Sequence, residues 1–306
     1  MSGSGTLVRM AALAVLWGST FLWIKLALEG FAPVVVTVVR CALGSLVLLG
    51  LAVAARQKLP RDRTTWGRLT VAALLCNAVP FGLFAVGERT VDSGVAGVLN
   101  ATTPLWSLLI GLALGVERGI RPMRLAGLLI GFAGTLLIFA PWTRAGLASW
   151  GSLALLGAAV SYAVAYAYMG RKLVGRGTEP LALSAAQLLA ATGLSALALP
   201  VGSASLSPHV TVLSVVAVVV LGVFGTGVTF YLNYRLIADE GPTAAATVGY
   251  LLPVVSVVLG AVVLGEEIGA RVVVGMVVVL GGVAVSRRRR PAVAARRVGA
   301  ELRESG

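Results

Sequence analysis

Apolar residues in this chain neither alternate nor fall into narrow stripes. They form long runs separated by short polar segments. Ten such runs stand out, at 7–28, 33–54, 69–88, 91–114, 122–140, 150–170, 180–201, 210–236, 242–264 and 270–286. Each is close to the roughly 20 residues that an α-helix needs to cross the hydrocarbon core of a bilayer. The pattern predicts an all-α polytopic membrane protein with ten transmembrane helices, here called spans 1 to 10. Span 1 lacks a short apolar region followed by a small-residue cleavage site, so it is read as a retained helix, not a signal peptide.

The runs also repeat. Ile24–Pro33 reads IKLALEGFAP and Arg171–Pro180 reads RKLVGRGTEP, which sets Lys25 on Lys172, Leu26 on Leu173, Gly30 on Gly177 and Pro33 on Pro180. Further along, Ala96, Pro104, Ser107, Gly111 and Glu117 fall on Ala245, Pro253, Ser256, Gly260 and Glu266. The chain divides into two five-span repeats, residues 1–145 and 146–286, followed by a basic tail, 287–306. Five is odd, so the second repeat enters the membrane the opposite way up. The expected architecture is an inverted-topology pair about an axis in the membrane plane, a design suited to alternating access.

Composition narrows the class. Of 306 residues, 58% are hydrophobic and only 12% charged, which excludes an ordinary soluble domain. The net charge of +13 would suggest nucleic acid in a soluble protein. Here it reads as topology, because Lys and Arg in short loops stay on the cytoplasmic side. Arg9, the Arg56–Arg68 group, Arg118, Arg121, Arg124, Arg171, Lys172, Arg176, Arg235 and the tail then lie inside, whereas only Arg89, Arg144 and Arg271 lie outside. Both termini are therefore expected in the cytoplasm of a cell-membrane protein. The tail Arg287–Arg290, with Arg296, Arg297 and Arg303, abuts a span and is expected to touch anionic lipid, not nucleic acid. Cys41 and Cys76 sit inside spans as packing residues. They suggest no disulfide framework and no metal site.

Polar side chains near span centres must face protein or a wet cavity. Span 1 offers Trp17, Ser19 and Thr20; span 3, Asn77 before Pro80; span 4, Asn100, Thr102 and Thr103 before Pro104. Span 6 offers Ser161, Tyr162 and Tyr166; span 8, Thr226 and Thr229, with Asn233 lower; span 9, Thr247 and Tyr250 before Pro253. Three spans per half would thus surround a central site. Each proline removes a backbone donor and frees a carbonyl one turn back, which a substrate or water can satisfy. Ser107 and Gly111 on span 4, with Ser256 and Gly260 on span 9, are read as small-residue packing. Trp17, Tyr162 and Tyr250 are candidates for stacking on a substrate, with core packing an equal alternative.

Charges within spans are few. Lys25 and Glu88 lie near the predicted outer ends of spans 1 and 3, where Lys25 can snorkel. Arg40 lies deeper in span 2 and requires a partner: Glu88, or a substrate carboxylate. Its repeat equivalent is Gln187, so only one half carries this charge. We therefore expect Arg40 to bias the outer mouth toward carboxylates. No Asp or Glu lies near any span centre, which favours uniport over proton coupling.

Several of these segments together resemble one family. LWGSTFLWIKLAL around span 1, Arg40 in span 2, NATTPLWSLLIG leading to Glu117, and YLLPVVSVVLGAVVLGEE at span 9 are similar to the tandem repeats of EamA-type transporters of the drug/metabolite transporter superfamily. The resemblance covers nearly the whole chain. It implies ten helices, a central cavity lined by spans 1, 3, 4, 6, 8 and 9, and export or exchange of amino acids, related metabolites or toxic compounds. The second half departs from the pattern at Tyr162, where Trp is more usual, and at Gln187, where a basic residue is expected. The expected function is a secondary transporter of small metabolites, an exporter or facilitator without cofactor, its oligomeric state undecided. A proton-coupled multidrug efflux protein is the alternative, although Glu29 is at the end of span 1 and not inside it. An intramembrane enzyme is remote: the lone His209 sits in a loop, and neither HExxH nor GxSxG occurs.

Overall fold

The computed structural model describes residues 3–87, 93–115, 121–143, 149–202, 210–264 and 268–286. Among these residues every regular element is a helix. Seven helical stretches are long and apolar enough to cross a bilayer: Gly5–Leu28, Pro33–Ala54, Arg63–Phe84, Pro122–Phe139, Trp150–Lys172, Val212–Glu240 and Pro242–Leu259. Three apolar helices are shorter, Gly97–Ala113, Pro180–Ala196 and Ala270–Ser286.

The elements begin where local chemistry allows. Helices α1 (Gly3–Leu28) and α2 (Pro33–Ala54) are joined by a tight turn, with Pro33 in the first turn of α2, where a missing N–H costs nothing. Helix α3 (Arg63–Ala73) starts earlier than the apolar pattern suggested, because the Asp62 carboxylate caps it by accepting from the Thr65 N–H at 2.7 Å. The Thr65 side chain first, and then this backbone bond, hold the Asp62 carboxyl, which lies outside the apolar stretch, below the usual carboxylate range. A π-helical turn, Leu74–Ala78, joins α3 to α4 (Val79–Gly87). Helices α5 (Ser93–Asn100) and α6 (Thr103–Ala113) are separated by a break at Ala101–Thr102, and α7 (Pro122–Phe139) follows.

The second half runs α8 (Trp150–Lys172), α9 (Pro180–Ala196) and a short α10 (Leu199–Gly202). Helix α11 (Val212–Gly222) passes through a second π turn, Val223–Val228, into α12 (Thr229–Glu240). Helix α13 (Pro242–Ala246) leads through a 3-10 turn, Thr247–Tyr250, to α14 (Leu251–Leu264), and α15 (Ala270–Ser286) completes the described chain.

Helix pairs set the architecture. Helix α2 lies on α9, α1 on α11 and α14, α8 on α4 and α6, and α7 on α15. The α7–α15 seam is the closest: a Cβ placed on Gly127 would stand 2.2 Å from the Ser286 nitrogen, and one on Gly282 would stand 2.3 Å from that of Gly131. Only glycine permits such backbone approach, and dispersion across it holds the pair. Leu13, Leu48, Tyr166, Leu188 and Tyr234 are among the side chains of the large buried cluster. Long apolar side chains such as Leu46, Val53, Leu197, Val212 and Val262 point outward.

Candidate functional site

Both π turns place a polar side chain against a helix of the other half. In the first, Val79 N–H reaches back five residues to the Leu74 carbonyl. The next N–H would seek Leu75, but residue 80 is proline and has none. The Ser161 hydroxyl from α8 donates to that Leu75 carbonyl at 2.7 Å. In the second π turn Thr229 N–H reaches back to Phe224, and the Thr226 hydroxyl donates to Leu221 O at 2.9 Å. Proline does not cause this turn; Gly225 and Gly227 line it, and Gly227 meets Gly44 of α2, where an added Cβ would stand 3.2 Å from the Gly44 Cα.

Arg40 on α2 is 8% exposed and donates from Nε to the Thr226 hydroxyl at 2.9 Å. Its guanidinium lies over the Phe81 ring, 4.7 Å from the centroid, which favours a cation. Among the described residues no carboxylate pairs with it. Glu88, one expected partner, lies outside the described residues. On the opposite half, the Gln187 amide on α9 donates to Asn77 Oδ1 at 3.1 Å, and its carbonyl oxygen accepts from the Tyr234 hydroxyl of α12. All three residues are fully buried or nearly so. Both polar atoms of the amide are thus engaged by protein, while Asn77 Nδ2 has no partner.

The remaining expected site residues fall into two groups. Several satisfy backbone carbonyls of their own spans. The Thr103 hydroxyl donates to Asn100 O at 2.7 Å, the carbonyl that Pro104 leaves free. The Thr20 hydroxyl donates to Trp17 O and that of Ser19 to Leu16 O. Others pack: Trp17 and Tyr162 are half-buried, with the Tyr162 ring centroid 6.4 Å from that of Phe84 and 6.3 Å from that of Tyr166. Tyr250 is fully enclosed, its ring beneath Gly131 of α7 and its hydroxyl unpartnered. Pro80, Pro104 and Pro253 sit in the first turns of α4, α6 and α14. Lys25 lies on α1 and its side chain is outside the described residues, as are His209 and the basic tail.

Sequence reasoning gave Gln187 no role beyond being the neutral counterpart of Arg40, and missed Tyr234. Its signal was a buried-amide geometry that no spacing announces. Asn233, noted only as lower in its span, is fully buried with both amide atoms unpartnered.

One end of the bundle is laced by basic side chains. Arg9 pairs with Asp239, Thr6 bonds Glu240, Arg171 donates to Leu114 O at 2.9 Å, and Arg68 donates to Lys172 O at 3.4 Å. A cavity of about 420 Å³ opens there, between the turn at Gly175–Pro180 and Arg235.

Apolar helices of spanning length, an outward apolar surface and polar side chains gathered inside define a multi-pass helical membrane protein. Two stretches, residues 6–140 and 149–288, match the model of the EamA-like transporter family, so the chain belongs to that family. It is 29% identical to the uncharacterized inner membrane transporter YedA of Escherichia coli K12 over 84% of this chain and 82% of that one. Identity to the uncharacterized transporter YvbV of Bacillus subtilis 168 is 24%, over 96% and 95%. A solved crystal structure shares the fold with a TM-score of 0.77 at 23% identity, covering 97% of this chain and 99% of that chain. Family membership supports membrane transport of a small molecule.

Proposed function

We propose that the protein is a secondary carrier that moves small metabolites, amino acids or related compounds, by alternating access between two inverted five-span repeats. Spans 3, 4, 8 and 9 of this reading are the broken helices α3–α4, α5–α6, α11–α12 and α13–α14. The observation that carries it is a pair of equivalent bonds. The offset that takes Pro33 onto Pro180 takes Arg40 onto Gln187, and the offset that takes Pro104 onto Pro253 takes Asn77 onto Thr226. Arg40–Thr226 and Gln187–Asn77 are therefore the same contact made once in each direction between the halves. Whole spans pair with the same symmetry: α1 lies on α11–α12 and α8 on α3–α4, although α1 favours the first segment of its partner and α8 the second, while α2–α9 and α7–α15 each pair a helix with its own counterpart. A molecule built this way exchanges the two halves' shapes to open on opposite sides.

The acidic side chains among the described residues, Glu29, Asp62, Glu179, Asp239 and Glu240, lie at helix ends or turns, which supports facilitated or potential-driven export over proton coupling. Charge bias supports cytoplasmic termini in the cell membrane. The test is flux in proteoliposomes loaded with labelled amino acids and cationic toxicants, with and without imposed ΔpH and Δψ. Saturable flux with trans-acceleration is expected. Flux that follows ΔpH would replace uniport with proton coupling, and flux that grows linearly without saturation would replace a carrier with a channel.

A further inference from the structure

The two equivalent contacts differ in what they leave open. Gln187 spends its amide N–H on Asn77 and its oxygen on Tyr234. Arg40 uses only Nε, on Thr226, and among the described residues its two terminal nitrogens have no hydrogen-bond partner, although the residue is more than nine-tenths buried. A buried cation without a counter-charge is costly, and a protein that merely required a helix–helix contact here already has a neutral solution in its other half. Thr226 fixes the guanidinium by accepting from Nε while donating to Leu221, so its orientation is set from both sides. Phe81 backs one face of the plane. The donors left over form a planar edge, the shape that matches a carboxylate in two parallel hydrogen bonds.

We infer that Arg40 is the carboxylate-binding residue of the transport site, with Thr226 as its positioning residue, and that the transported compounds are small carboxylates. This rests on the carrier reading above and names its substrate class. The halves then have distinct tasks: the Arg40 side recognises the anion, and the Gln187 side, bonded at both amide atoms, holds the equivalent helices together without it.

The experiment pairs acids with their carboxamides. Intrinsic fluorescence of the purified protein in detergent is titrated with matched amino acids and amino-acid amides, and competition between them is measured in proteoliposomes. The wild-type chain is expected to prefer the acid by about a hundredfold, and Arg40→Gln to lose that preference while keeping a monodisperse elution profile. Arg40→Lys should restore part of it, since the charge remains without the fork. Thr226→Val should weaken acid binding by about tenfold with the preference reduced but present. Chloride replaced by nitrate at equal ionic strength tests whether a free inorganic anion fills the fork: if the acid preference vanishes in chloride alone, the site is an inorganic-anion site and the inference fails. It fails equally if Arg40→Gln binds acid and amide in the wild-type ratio. Absence of flux for every solute alongside intact, Arg40-dependent acid binding would count against the carrier reading and not against this site.

Discussion

Replacing Gly282 with alanine tests the α7–α15 seam, and Gly281 beside it supplies the control. A Cβ on Gly282 would lie 2.3 Å from Gly131 N and 2.7 Å from both Gly127 O and Gly131 Cα. All three are backbone atoms, so no rotamer change relieves the clash. Reaching ordinary contact requires the helices to separate by about 1 Å, which weakens dispersion along the whole seam. Overpacking of this kind costs about 1–3 kcal/mol, and alanine's helix propensity returns about 1 kcal/mol of it. Because the obstruction is backbone, we place Gly282→Ala at the upper end, with a net loss of about 2 kcal/mol. A Cβ on Gly281 meets nothing within 4 Å, so Gly281→Ala should be neutral or up to about 1 kcal/mol stabilising. Thermal unfolding of both variants in one mild detergent, followed by circular dichroism, measures the difference. Equal midpoints for the two would refute the close seam.

Three further outcomes are expected. Tyr234→Phe leaves the buried Gln187 oxygen without its donor and should cost about 1–3 kcal/mol by denaturant titration, whereas Tyr231→Phe, only half-buried, should be close to silent. Asp239→Asn breaks the pair with Arg9 at side chains 23% and 16% exposed, and should cost less than about 1 kcal/mol; a larger loss would mean the pair holds the helix ends shut. Asp62 has a lowered folded pKa, so its cap contributes above the ordinary carboxylate range and is lost as pH falls through the folded value. Exchange protection of the Thr65 amide, corrected for intrinsic rate, should therefore drop on acidification in the wild type and stay flat in Asp62→Asn, which keeps a capping side chain.

Element positions were the most legible part of the sequence, because run length is dictated by bilayer thickness and prolines mark helix starts. Pro33, Pro122 and Pro180 each begin a helix as their chemistry demands. Helix breaks were legible only where proline signals them. The π turn at Val223–Val228 contains no proline and coincides with the close approach of α2 to Gly227, a tertiary contact with no local signature. The candidate site was half legible. Burial of a charge at Arg40 follows from position alone, but its bond to Thr226 depends on which face the π turn presents. Ser161 and Thr103 were expected to face a cavity because they are polar at mid-span; in the structure they serve carbonyls associated with the missing N–H groups of Pro80 and Pro104. Polarity identifies a need for a hydrogen bond without saying whether backbone or ligand meets it.

The two π turns also make length a constrained quantity. Each is one residue of slack wound into a membrane helix, and it sets the following segment about 100° out of phase with an uninterrupted α-helix. Deleting a single residue between Val223 and Val228 would let the helix run straight through. It would also swing Thr229–Glu240 by about 100° and draw it about 1.5 Å along its axis, carrying Tyr234 away from Gln187 and Asp239 away from Arg9 together. A deletion in α2 before Arg40 would swing that helix against α9 and α11 in the same way, but with no π turn to unwind it would leave a regular helix one residue short. At these two spans the π turns therefore add a sensitivity to chain length beside the sensitivity to residue type.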